Sequence, residues 1–228
     1  MQSRINELIK ISRIEAEKWI SYGLKKKEEK EIKYLLSEGN ENNLIESFHK
    51  KLEFGTGGIR GLIGIGSNRI NTYTISIATQ GLCNYLNRIS RDKKRSAVIA
   101  YDSRRFSKEF GHQTAKIFSA NNIKSYIFSD LRPTPELSFA VRELNSSCGI
   151  VITASHNPKE YNGYKVYWND GGQITAPHDK NIISEVKKIT DFNQINFNFN
   201  SKLIKEIDSE IDKKYIEKIQ SLSINDNS

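Results

Sequence analysis

Apolar residues recur at helical spacing through residues 2–21, where Ile5, Leu8, Ile9, Ile14, Trp19 and Ile20 sit among charges and Gly23 supplies a stop. Residues 25–36, ended by Gly39, and residues 43–51, carrying Leu44, Ile45 and Phe48, read as two further helices. Together these form an N-terminal helical extension over residues 1–45, expected to pack on a larger domain. Glycines then cluster at 55, 57, 58, 61, 64 and 66. Beyond them helix and strand alternate. Helical periodicity marks residues 71–89, 107–120, 134–144 and 178–188, with Pro133 and Pro135 at the opening of the third. Short apolar runs at 96–101, 124–128 and 148–153 read as buried strands, and 161–168 is strand-like. This alternation predicts an α/β fold, a layered mixed sheet with flanking helices, over residues 46–190. The pattern weakens after Thr190. Residues 191–228 read as an Asn- and Phe-rich linker followed by the start of a second unit, with one more helix at 213–222.

Composition narrows the setting. The 228 residues are 37% hydrophobic and 27% charged, which excludes a fibrous or wholly disordered chain. No run approaches the length of a membrane span, and the first residues contain no apolar signal core, so a cytoplasmic location is expected. Two cysteines, Cys83 and Cys148, suit a pair of small core thiols. The net charge of +8 fits phosphorylated small molecules, but much of the lysine excess lies in helical stretches such as residues 25–27, where solvated faces account for it. The aromatic spacing offers no stacking platform for nucleic acid. Neither nucleic acid nor a membrane is an expected partner.

Four segments carry candidate chemistry. In the first, the apolar strand Ile150-Val151-Ile152 runs into Thr153-Ala154-Ser155-His156-Asn157-Pro158. Pro158 keeps Asn157 out of helical geometry, and Ser155 falls at the carboxyl end of a strand, where α/β sheets hold ligands. An ordinary turn stabilised by its own Ser and Asn would look the same. In the second, Asn162-Gly163 predicts a two-residue turn that folds the next strand back beside Ser155, bringing Lys165 toward it, either as a base or as a solvated strand residue. In the third, residues 54–61 place Thr56, Gly57 and Gly58 where backbone N–H groups can converge on an anion, and Arg60 adds a fork for phosphate oxygens; a flexible glycine loop is the alternative. The spacing is neither that of a P-loop nor a dinucleotide fingerprint. In the fourth, residues 101–107, Asp102 orients Arg104 or Arg60, or serves as a helix-start device.

Taken in order, residues 54–61, 102–107, Arg132-Pro133-Thr134-Pro135, and Thr-Ala-Ser-His-Asn-Pro followed by Asn-Gly-Tyr-Lys resemble the N-terminal domain of the α-D-phosphohexomutase superfamily over residues 45–190. The N-terminal extension and the Gly57-Gly58 pair look most like the phosphoglucomutase and phosphopentomutase branch. The resemblance implies that Ser155 is a phosphorylated serine exchanging its phosphoryl group with a sugar phosphate through a sugar bisphosphate. It also implies that Lys165 is the acid/base on the sugar hydroxyl. His156, Arg60 and Asn157 would surround the phosphate. It further implies a Mg²⁺ on the phosphoserine and on three aspartates of an Asp-Gly-Asp-x-Asp-Arg loop. This chain contains no Asp-x-Asp pair. It therefore reads as the front part of a phosphosugar mutase, with a truncated, inactive fragment or a phosphate-binding module as the alternative. The loops that choose among glucose, mannose and pentose are not among these motifs.

Overall fold

The computed structural model describes residues 2–55, 57–89 and 95–224. Strand β2 (Ser96–Tyr101) alternates Ala97, Ile99 and Tyr101 on one face with Val98 and Ala100 on the other, so both faces must be covered. It pairs in parallel with β3 (Lys124–Phe128) on one side and β4 (Cys148–Ile152) on the other. Helices α4 (Thr72–Ile89), α5 (Ser107–Ala120) and α7 (His178–Lys188) belong to the larger core on one face. Helix α6 (Thr134–Glu143) covers the other face. The expected layered mixed sheet is the fold found.

Two strands complete the site end of the sheet. Strand β5 (Tyr161–Trp168) runs antiparallel to β4, with Lys165 opposite Val151. Strand β1 (Gly58–Leu62) pairs antiparallel with β5 and closes that edge. The glycine-rich segment is therefore half strand, not the flexible loop that its composition allows. The turn expected at Asn162-Gly163 is also corrected. Both residues lie inside β5, opposite Gly61 and Arg60, and the chain reverses earlier, between Thr153 and Glu160. Gly163 is needed for close approach: a Cβ there would stand 2.7 Å from the Thr153 carbonyl oxygen and 2.8 Å from that of Ile59.

The N-terminal helices α1 (Gln2–Ser21), α2 (Lys26–Leu36) and α3 (Glu41–Phe48) join the larger core through Ala16, Trp19, Ile32, Leu44 and Phe48. Trp19 meets the rings of Phe48, Tyr73 and Phe192 edge-on, at centroid distances of 5.1–5.6 Å. Phe192 lies in the stretch assigned from sequence to a linker, yet it and Ile195 are buried. Further along that stretch, β6 (Ile204–Ile207) pairs in parallel with β3, giving the six-stranded order β1-β5-β4-β2-β3-β6. Helix α8 (Ser209–Gln220) follows and packs on α6. Arg132 Nη2 fixes this return, donating to Asp208 and Asp212 at 2.6 Å each.

Candidate active site

The parallel strands β2 and β4 end side by side, and the loops leaving them form the site. After Ile152 the backbone carries Ser155 in the left-handed region (φ 58°), a conformation that a non-glycine residue holds only when its surroundings impose it. The restraints are local. Ser155 N–H donates to Thr153 Oγ1 at 2.9 Å, and Ala154 is fully buried beneath. The Ser155 side chain is left exposed, with its Oγ 3.4 Å from His156 Nδ1.

Arg104 holds the loop from below. Its Nη2 donates to the carbonyl oxygens of Ser155 (2.9 Å) and Asn157 (2.6 Å), and its Nη1 to those of Pro158 (2.8 Å) and Tyr161 (3.0 Å). Asp102 resolves the alternatives left by its sequence context. Its Oδ1 accepts from Arg104 N–H at 2.9 Å and from Ser107 Oγ at 2.7 Å, and its Oδ2 lies 3.5 Å from Arg104 Nε. Orienting Arg104 and tying the start of α5 are thus one device. Asn162 adds a link that sequence reasoning missed: fully buried, it donates through Nδ2 to Arg105 O at 3.1 Å and to Ser107 Oγ at 2.9 Å. The signal available in the sequence was an Asn standing inside the strand-like run 161–168.

The third wall is the face shared by β1 and β5. Register puts Arg60 opposite Gly163 and Gly58 opposite Lys165, so Arg60 and Lys165 are diagonal neighbours on one face. Arg60 Nη1 donates to Asn157 Oδ1 at 2.7 Å, tying this wall to the serine loop. The Lys165 amine titrates below the ordinary lysine value. Partial burial is the main cause and the Arg60 charge the next, while Asp102 pulls the other way. Arg104 thus joins Asp102 to the serine loop, Arg60 joins the same loop through Asn157, and Lys165 stands diagonally from Arg60 on the shared face.

The glycines contribute space. Gly55 and Gly58 exchange backbone hydrogen bonds, 2.8 Å and 3.2 Å, across a tight turn, so these two amides are already paired. Thr56 lies outside the described residues. At Gly58 (φ 143°) a Cβ would stand 1.9 Å from the Tyr164 carbonyl oxygen. Gly58→Ala is expected to lower unfolding stability by about 3 kcal/mol, since neither backbone can yield; urea denaturation measures it.

Among the described residues, no group of three or more His, Cys, Asp or Glu side chains is placed to hold a metal. The Mg²⁺ that the resemblance implies thus has no ligand set there. No helix among these residues is long and apolar enough to cross a membrane.

Known proteins share this sequence and fold. Residues 51–193 match the family model described as phosphoglucomutase/phosphomannomutase, alpha/beta/alpha domain I. A phosphopentomutase of Pongo abelii is 44% identical over 164 residues, 69% of this chain and 27% of that protein. A phosphoglucomutase of Staphylococcus aureus is 36% identical over 215 residues, 93% of this chain and 38% of that protein. A crystal structure from Thermus thermophilus, assigned as a phosphomannomutase, superposes with a TM-score of 0.63 at 26% identity, covering 75% of this chain and 36% of that one. The chain thus spans about a third of the length of these relatives.

Proposed function

This chain belongs to the phosphoglucomutase/phosphomannomutase family, and on that premise we propose that it carries the phosphoserine half of a phosphosugar mutase, with Ser155 as the phosphoryl carrier. The observation that carries the reading is the strained, exposed Ser155, gripped at its carbonyl by Arg104, in a loop that Arg60 ties through Asn157 to the strand pair carrying Lys165. Phosphoryl transfer asks for little covalent chemistry from a protein. It asks for alignment and for positive charge around the equatorial oxygens, which this wall of cations supplies.

In the loading direction, Ser155 Oγ attacks a phosphate of a sugar bisphosphate. The new O–P bond forms as the sugar O–P bond breaks. The hydroxyl proton passes to His156 Nδ1, and the departing sugar oxygen takes a proton from the Lys165 ammonium. In the reverse direction neutral Lys165 takes the proton of the attacking sugar hydroxyl, and Ser155 Oγ leaves with a proton from His156. The depressed titration of Lys165 suits both duties, since both of its forms are accessible closer to neutrality. A Mg²⁺ would add charge neutralisation at the phosphate.

Because the chain covers about a third of its relatives, the property to test is the half-reaction. Incubated with glucose 1,6-bisphosphate, the 228-residue chain gains one phosphoryl group, and peptide mapping by mass spectrometry finds it on Ser155. An unmodified chain, or phosphate on another residue, overturns the proposal. The pH profile gives a further expectation. Loading slows as pH rises through the Lys165 titration. In Arg60→Met that decline moves to higher pH, because Arg60 holds the amine down. A decline that stays in place removes Lys165 from the role.

A further inference from the structure

The loop after β5 reaches back into the site, and its side chains are not used by the mechanism above. Residues 172–174 form one more short rung on β5. Trp168 N–H donates to Gly172 O at 2.8 Å and Ile174 N–H to Val166 O at 3.1 Å, with Tyr167 and Gln173 paired across an antiparallel bridge. Bridge partners share a face, and Tyr167 shares its face with Lys165 two residues away. Along the outer side of β5 the row therefore reads Arg60, Gly58, Gln173, opposite Gly163, Lys165 and Tyr167 in turn.

Gln173 leans along this row toward Gly57, the neighbour of Gly58, which stands opposite Lys165. Its carboxamide lies over Gly57, whose carbonyl accepts from Val166 N–H at 2.9 Å. A Cβ on Gly57 would stand 2.0 Å from Gln173 Nε2 and 2.9 Å from Cδ, so the glycine makes room for this amide. The backbone beneath is fixed. Ser138 Oγ donates to Gly171 O at 2.6 Å, and Gly172 N–H donates to Asp170 Oδ1 at 2.8 Å. The side chain is exposed. A carboxamide carries two donors and one acceptor in one plane, a set that matches a hydroxyl, which both gives and takes a hydrogen bond. A site already rich in point cations gains orientation from such a group rather than charge.

We infer that Gln173 is a sugar-reading residue of this site, hydrogen-bonding the sugar hydroxyl that neighbours the phosphate being transferred while Lys165 serves the transferring oxygen. The inference rests on the proposed phosphoserine chemistry and extends it to selection of the sugar. A site built to hydrogen-bond a hydroxyl rejects the analogue that lacks it.

The test compares loading of Ser155 by a sugar bisphosphate and by its deoxy analogue lacking that hydroxyl, in wild type and in Gln173→Leu. Wild type is expected to require a roughly tenfold higher concentration of the deoxy donor for half-maximal rate. In Gln173→Leu the two donors become equivalent, with the saturated rate and thermal midpoint near wild type. A variant impaired only through a displaced loop would lose saturated rate with both donors and still discriminate between them. Undiminished discrimination in Gln173→Leu overturns the inference and leaves the phosphoserine proposal standing. A wild-type chain that takes no label from either donor removes both.

Discussion

Ser155→Ala takes up no phosphoryl group from a sugar bisphosphate, while its unfolding free energy stays within about 1 kcal/mol of wild type. The side chain is exposed, and among the described residues its hydroxyl makes one polar approach, 3.4 Å to His156 Nδ1, so the fold loses little when the oxygen is removed. The neighbouring hydroxyl of Thr153 is not placed to stand in. Thr153 Oγ1 accepts the Ser155 N–H, and Thr153 is buried. The backbone makes two companion variants informative. Ser155→Thr keeps a hydroxyl but puts a β-branched residue at φ 58°, and it is expected to load poorly and to be less stable. Ser155→Gly relieves the left-handed strain and is expected to gain about 1 kcal/mol of stability while losing all loading. Intact-mass measurement and denaturant titration on the set read both effects, and label persisting in Ser155→Ala would refute the assignment of the carrier.

Arg104→Met is expected to slow loading by about 100-fold or more and to lower stability by about 2 kcal/mol. One guanidinium donates to the carbonyl oxygens of Ser155, Asn157, Pro158 and Tyr161, which bracket the reversal between β4 and β5. The side chain is 15% exposed, so water replaces it only in part. Its loss also leaves Asp102, whose charge acts on the Lys165 amine, without its guanidinium partner. Arg104→Lys is not expected to rescue, because an ammonium cannot address four acceptors arranged around a planar fork. Loading kinetics and thermal melts of the two variants check this. Near-normal rates in Arg104→Lys would mean that charge alone, not the fork, holds the loop.

The elements that sequence reading recovered are those with periodic apolar faces. Helices α1, α2, α4, α5, α6 and α7 and strands β2 to β5 repeat at their expected places because their burial patterns are dense enough to fix their type. The misses share a cause. Strand β1 reads Gly-Ile-Arg-Gly-Leu, too poor in side chains for a strand signal, yet its glycines are what let it lie against β5. Asn162-Gly163 carries the local signature of a turn, but Gly163 sits between two carbonyls of adjacent strands and Asn162 is consumed by Ser107 and Arg105, so tertiary pairing overrides the local preference. Strand β6 is only four residues long and has Lys205 and Glu206 at its centre, as an edge strand can. The site residues were legible as types in order. What the sequence did not contain was the division of labour: Arg104 bound to the backbone, Arg60 to Asn157, and the glycines acting as voids.

Strands β4 and β5 are the two legs of one hairpin, and Ser155 and Lys165 stand on its tip and its returning leg. Their separation is therefore a property of about a dozen consecutive residues, short in chain distance even though the surrounding walls are assembled from far apart. A shift of the helical layers against the sheet acts on this gap only through the hairpin itself. The hairpin behaves as a calibrated jaw that can be carried from one scaffold variant to another with its bite intact.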